Sequence, residues 1–278
     1  MLGLLQLRLG SDWRERLADA DWAASNQIAQ PLLTGLGLAA WQSIQARLPA
    51  PAAIAGYSVG ELAAFSVAGV FDAEQAMSLA VLRAAAMDRS AAGQDTGLLA
   101  VAGVGQALLG SVSKTHRLAT AIHLAEDHKL LGGKVADLID AESALSAAGA
   151  QCKLLPVRIA SHTPQMAAAA ADMSATLATI PFLRPRTALV CNRSGGAECD
   201  PQALKTAFAE QIANPVLWDR CMDAIAERRV NCVLEIGPGN TLSRWWNKRH
   251  PAIAARSIDD FRSADAIVAW VAAVLARA

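Results

Sequence analysis

The sequence is short of charge: charged residues make up 18% of its 278 positions, against roughly 25% in an average globular domain. With 25 basic and 25 acidic side chains, it also lacks the one-sided field that would favour nucleic acid or anionic lipid, although a local basic patch could still meet a phosphate. Five cysteines, Cys152, Cys191, Cys199, Cys221 and Cys232, are odd in number, widely spaced and without a C-x-x-C pair. That argues against a disulfide scaffold or a zinc site, and a reducing cytoplasm is the simpler setting. The opening MLGLLQLRLGSDWRERL has no basic region ahead of an apolar segment and no clear small-residue cleavage site, so no secretion signal is read. The longest uncharged stretch, Thr96 to Ser113, is interrupted by Gly97, Gly103, Gly105 and Gly110. It reads as buried strand, turn and helix in preference to a membrane span. No repeat at a solenoid or propeller period is present.

What the chain has is apolar residue, 53% of the total, and enough length for one large domain, with or without a smaller lobe. WRERLADADWAASNQIAQPLLTGLGLAAWQSIQARL is an Ala/Leu-rich helical pattern broken near Pro31 and closed by the turn PAPAA. AAIAGYSVGELAAFSVAGV then reads as short apolar strand, glycine-flanked turn and apolar helix. Strands alternating with helices in this way indicate a parallel sheet with helices on both faces. A further helix starts near Asp72, where DAEQ offers an acidic cap. Its inner face runs through Ala76, Leu79, Arg83 and Met87, so Arg83 sits in an apolar stripe and needs a partner.

The middle of the chain changes rhythm. GLLAVAGV, QALLGSVS, LATAIHLA, HKLLGG, VADLIDAESALSAAG and CKLLPV read in order as β-α-β-β-α-β, which suggests a small ferredoxin-like lobe. The expected organisation is a large α/β domain over 1–96 and 158–278 with that subdomain inserted at 97–157, and function in the cleft between them. The remainder returns to α/β character through MAAAAADMSATLATI, TALVCN, PQALKTAFAEQI, VNCVLEIG and AIVAWVAAVLARA.

Gly56-Tyr57-Ser58-Val59-Gly60 fits a G-x-S-x-G nucleophile elbow in a strand-turn-helix setting. Gly56 and Gly60 leave room for the sharp turn, and the Val59 N–H is a natural oxyanion donor. The alternative is that two glycines merely close a βα turn. A serine hydroxyl needs a base, and of five histidines (His116, His123, His128, His162 and His250) His162 is the best placed. SHTPQM follows an apolar strand and precedes a helix that Thr163 could cap and Pro164 could start. On local pattern alone a capping or surface histidine fits equally. Arg83 could grip a carboxylate bidentately, or form an internal salt bridge. LEIGPGNTL, residues 234–242, is a strand entering a glycine-rich turn without the P-loop or dinucleotide fingerprint. Trp245, Trp246, Lys248 and Arg249 could support a partner or phosphate, although packing beside a solvated charge cluster is the plainer reading.

Taken together and in order, these motifs resemble the malonyl-CoA:acyl-carrier-protein transacylase family, from about Asn26 to the C-terminus. GYSVGELAAFSVAGV is similar to the family elbow, LRAAAM to its arginine helix, SHTPQM to its histidine segment, QIANPVLW to its Q-x-x-x-P-V-x-W stretch and EIGPG to its late turn. The resemblance implies Ser58 as acylated nucleophile, His162 as base and Arg83 as holder of the malonyl carboxylate. It also implies that the main-chain carbonyl of Gln211 orients His162 in place of an acidic triad member. Malonyl-CoA and a phosphopantetheine-like carrier thiol are the implied substrates, with no tightly bound cofactor, metal, nucleic acid or membrane. Tyr57 and Val59 depart from the commoner His and Leu. With NQIAQPLL, AIHLAEDHKLLGG, SHTP and RSIDDFR they look closer to the malonate decarboxylase epsilon subunit, whose partner is that enzyme's carrier subunit. The family's N-terminal strand and its G-Q-G motif, a second oxyanion donor, have no match here; LLQLRL could partly replace the strand. That gap motivates one alternative to malonyl transfer, a truncated, non-catalytic carrier-binding subunit; the G-x-S-x-G motif, which hydrolases share, gives another, a serine thioesterase or esterase.

Overall fold

LLQLRL does not form a strand. In the computed structural model of the protein, which describes residues 2–277, it lies within the helix Leu2–Leu9. Leu5 and Leu9, four residues apart, share one face of that helix and pack with Trp13, Leu32 and Met77. Leu7 is left 76% exposed; the apolar spacing therefore serves a helix with one buried stripe. Pro31 does not break the next helix either. The helix runs Asn26–Ile44 with Pro31 inside it, and the interruption falls at Ser25, whose extended backbone separates it from the short helix Ala20–Ala24. Pro31 is the sixth residue of its helix, so the N–H it lacks removes a single bond near one end.

The chain divides into two compact units. The first comprises the chain through Ala80, Leu183–Val190 and Met222 onward; the second comprises Val81–Phe182 and Cys191–Cys221. In the first unit, strand Ala53–Ala55 pairs in parallel with Ala188–Val190, setting Ile54 opposite Leu189. Strand Cys232–Glu235 pairs in parallel with Ala254–Ser257, and the helix Thr241–Arg249 lies between them in sequence. Asn247 fastens that helix to the second strand, donating to and accepting from Ala255 at 2.9 Å each way. Parallel strands linked through helices are the α/β pattern that alternation in the sequence leads one to expect.

The second unit holds a five-stranded sheet in the order Gln151–Leu154, Thr96–Ala102, His128–Lys134, Ala119–Ala125, Val216–Leu217. The first four strands are antiparallel to their neighbours, and Val216–Leu217 joins in parallel. Leu99, Val101 and Leu131 from the sheet pack with Leu109 and Val112 of helix Gln106–Thr115 and with Leu138, Ala141 and Leu145 of helix Val135–Ala147. The spacings of three and four along the latter helix bury one stripe. The helix Ala73–Ala91 begins where Asp72 accepts a hydrogen bond from the Gln75 N–H (2.7 Å). Ala76, Leu79, Arg83 and Met87 are all buried along it.

Leu5 is fully buried in the cluster that the N-terminal helix makes. Leu5→Ala is expected to cost about 3 kcal/mol through lost transfer energy plus a residual cavity. Urea denaturation of the variant checks this; a loss below about 1 kcal/mol would mean the helix is not integral to that core.

Candidate active site

In the first unit, strand Ala53–Ala55 leads into the turn Gly56–Ser58, and helix Gly60–Val67 follows at once. Ser58 has φ 51°, a left-handed conformation that a non-glycine residue adopts only when its surroundings impose it. Three main-chain bonds impose it here: Gly60 N–H to Tyr57 O (2.9 Å), Glu61 N–H to Ser58 O (3.1 Å) and Leu62 N–H to Val59 O (3.1 Å). A Cβ on Gly56 would run into the Gly60 carbonyl and the Glu61 nitrogen, so glycine is required there. At Gly60 a Cβ would meet nothing within 4 Å. The expectation that both glycines clear the turn therefore holds for Gly56 alone.

The contacts that Tyr57 and Glu235 make were not legible in the sequence. The Tyr57 ring meets Trp245 edge-on, with centroids 5.6 Å apart and planes at 65°, and burial pushes the phenol well above its ordinary pKa, so it is neutral. Trp245 lies on helix Thr241–Arg249, whose N-terminal donors are held by Glu235: its carboxylate accepts from Leu242 N (3.1 Å) and Ser243 N (2.7 Å). The glycine-rich turn between them is committed to the protein itself. Gly239 donates to Asp259 (2.7 Å) and accepts from the Ser257 hydroxyl (2.5 Å). Trp246 is buried with its indole N–H on Ile253 O (2.9 Å), and Arg249 grips Asp223 through Nε (2.7 Å) and Nη2 (2.6 Å). Packing and ion pairing thus occupy these two residues.

The second unit brings together three of the expected residues: His162, Gln211 and Arg83, each at most 2% exposed. Gln211 follows directly on helix Pro201–Glu210 as its C-cap. Carbonyls at a helix end have no partner within the helix. His162 supplies a partner to the Gln211 carbonyl and to that of Ile212, the next residue. Its ring Nδ1 lies 2.7 Å from Gln211 O, and its main-chain N–H donates to Ile212 O at 2.8 Å. A carbonyl oxygen can only accept, so Nδ1 carries the proton and Nε2 keeps its lone pair. Like Ser58, His162 is left-handed, at φ 62°.

The segment carrying His162 is fixed from several sides. Thr163 does not cap the following helix: its hydroxyl donates backwards to Ala160 O (2.7 Å), and Pro164 opens a 3-10 turn before helix Ala167–Ala178. Burial is the reason, because Thr163 points its methyl at Gly132, where a Cβ would come within 2.7 Å of Thr163 Cγ2. Ser90 of the Arg83 helix donates to Gln165 O (3.1 Å), and Arg89 pairs with Asp172 (2.8 Å). Arg83 itself donates from Nη2 to the side-chain Oε1 of Gln211 at 2.9 Å. Gln211 therefore meets Arg83 with its side chain and His162 with its main chain. Burial, followed by the positive charge of Arg83, lowers the His162 pKa to about 3, against the opposing pull of the Gln211 bond.

Residues 16–267 match the acyl transferase domain family. A malonyl CoA-acyl carrier protein transacylase of Mycobacterium tuberculosis is 30% identical over 244 residues, covering 87% of this chain and 80% of that protein. The chain belongs to the malonyl-CoA:acyl-carrier-protein transacylase family. An acyl-carrier-protein S-malonyltransferase from Burkholderia pseudomallei superposes with a TM-score of 0.88 at 26% identity, over 95% of this chain and 89% of that one. A malonyl-transacylase solved with a type II PKS acyl-carrier protein gives 0.83 at 26% identity, over 89% and 82%. As a transacylase-family member the chain has the α/β fold expected from its alternating elements. Among the described residues no group of three His, Cys, Asp or Glu could hold a metal, and no helix is long and apolar enough to cross a membrane.

The low pKa of His162 has a consequence for stability. An unfolded chain takes up a proton on this histidine below its ordinary value of 6.5, whereas the folded chain does so only near 3. Stability from the neutral buried ring is thus fully present above pH 6.5 and declines as pH falls toward 3. Unfolding free energies of wild type and His162→Gln, measured in urea across that window, should differ by an amount that shrinks steadily with falling pH. A difference independent of pH would contradict the buried neutral ring.

Proposed function

We propose that this chain transfers a malonyl group from malonyl-CoA to the thiol of an acyl-carrier partner, through an ester on Ser58. The observation that carries the reading is the Gln211 arrangement: a base oriented by an uncharged carbonyl next to a buried guanidinium held by an uncharged amide. In this mechanism Nε2 of His162 accepts the Ser58 hydroxyl proton as Oγ attacks the thioester carbon. The Val59 N–H, a donor that the bonds closing the elbow do not use, receives the developing oxyanion. The C–S bond then breaks and the proton passes from His162 to the departing CoA sulfur. A carrier thiol reverses the sequence, giving its proton to His162 and taking the malonyl group. Arg83 binds the malonyl carboxylate, and that negative charge offsets the guanidinium's pull on the imidazole, so the base strengthens when the correct acyl group is bound.

The carrier is an acyl carrier protein or the carrier subunit of a malonate decarboxylase; Tyr57 and Val59 beside the nucleophile favour the decarboxylase branch. Residues 97–157 form the inserted ferredoxin-like lobe of a large domain over 1–96 and 158–278. The antiparallel order of the four strands within 96–154 and their two helices supports that division. A cytoplasmic location follows from the odd, scattered cysteines. A thioesterase of the usual hydrolase kind would orient its histidine with a carboxylate, whereas His162 Nδ1 meets a main-chain carbonyl.

Intact-protein mass spectrometry after brief incubation with malonyl-CoA tests the reading. A malonyl mass increase should map to Ser58, vanish in Ser58→Ala and disappear when a phosphopantetheine carrier is added. Arg83→Ala should slow malonyl loading about a hundredfold while affecting acetyl loading far less, since a charge-assisted contact is lost only for the carboxylate. Acyl release as free malonate in the presence of carrier would favour a hydrolase. Carrier binding by a folded protein that never forms an adduct and releases no CoA would leave a binding subunit.

A further inference from the structure

From the Arg83–Gln211 contact we infer that the Gln211 side chain is a positioning residue for acyl selectivity, holding the Arg83 guanidinium in the pose that reads a substrate carboxylate. The inference rests on the site reading above and adds to it. That reading uses only the main-chain carbonyl of Gln211, a group that every amino acid possesses; the side chain needs a separate explanation.

Gln211 is fully buried, and Arg83 is buried on the apolar stripe of its helix. An interior guanidinium must have hydrogen-bond acceptors to be tolerated, and the long arginine side chain has many rotamers to lose. An aspartate or glutamate in place of Gln211 would fix Arg83 firmly but neutralise it. The amide Oε1 at 2.9 Å from Nη2 helps to fix the planar fork without bringing a negative charge of its own to the guanidinium. The amide is itself anchored by its place in the chain. The Gln211 N–H donates to Ala207 O (3.0 Å), and its carbonyl accepts from the His162 ring N–H (2.7 Å). One residue at a helix end thus places the base through its main chain and the carboxylate reader through its side chain. The relative geometry of the two is then set by a single residue's internal bonds.

The test compares Gln211→Leu and Gln211→Glu with wild type. The rate of Ser58 acylation is measured against concentration for malonyl-CoA and for acetyl-CoA. Both substitutions keep the main-chain carbonyl, so a side-chain role shows in the ratio between the two substrates. Gln211→Leu should lower the malonyl-over-acetyl ratio about tenfold, with malonyl-CoA losing in both KM and kcat, because a loosened carboxylate binds less tightly and offsets the guanidinium beside His162 less well. Gln211→Glu, nearly isosteric, should lower it further, because its carboxylate occupies the guanidinium that malonate needs. Should Gln211→Leu fail to fold, as circular dichroism would reveal, the glutamate variant carries the test alone. Equal slowing of both substrates, with the ratio unchanged, would overturn the inference and leave the site reading standing. Absence of any Ser58 adduct in wild type would instead overturn the site reading on which it rests.

Discussion

In the proposed mechanism the end of helix Pro201–Glu210 organises the chemistry. Carbonyls at that end need donors, and His162 gives two, its main-chain N–H to Ile212 O and its ring N–H to Gln211 O. The ring bond settles the tautomer, and the main-chain bond settles where the ring is rooted. The negative end of the helix dipole lies on the same side as the ring N–H, which favours an imidazolium as it forms. Much of the surrounding sequence serves this junction: the missing Cβ of Gly132 admits Thr163, and the Ser90 and Arg89 contacts tie the Arg83 helix to the residues after His162.

Uncharged orientation is the theme of the site. A carboxylate behind the imidazole would raise its basicity, yet it would also compete for Arg83. A carbonyl orients the ring without competing, and an amide holds Arg83 without quenching it. The cost is an imidazole made weakly basic by burial and by the neighbouring guanidinium, with a pKa of about 3. In the proposed mechanism a substrate that carries its own carboxylate relieves part of that cost by offsetting the guanidinium. In that mechanism selectivity and reactivity are linked through one charge.

Much of this was readable in the residues themselves. The Asp72 cap, the buried stripe Ala76–Leu79–Arg83–Met87 and the β-α-β-β-α-β rhythm of the middle segment follow from local pattern, and the structure has them in those places. The junction at Gln211 was legible only in part: resemblance pointed to its carbonyl, while the lone arginine in an apolar stripe announced a missing partner without naming it. The side-chain contact spans 128 residues of sequence, and no periodicity encodes such a distance. LLQLRL misled because five or six apolar-rich residues suit a strand or a helix equally, and only the burial of Leu5 and Leu9 together decides. Thr163 misled because a cap preference yields to burial when the residue is wedged against a sheet glycine. The Glu235 grip on helix Thr241–Arg249 had a sequence signal, an acidic residue a few positions before a helix, but the intervening glycines concealed it.

His162 is held as a neutral ring with its proton on Nδ1, facing Gln211. Long-range proton–nitrogen correlation spectra of selectively labelled histidine measure this directly. One imidazole should show Nδ1 protonated and Nε2 bare, unchanged from pH 7.5 down to the acid limit of the folded protein. A His162 ring protonated on Nε2, or one that takes up its second proton near the ordinary value of 6.5, would contradict that arrangement.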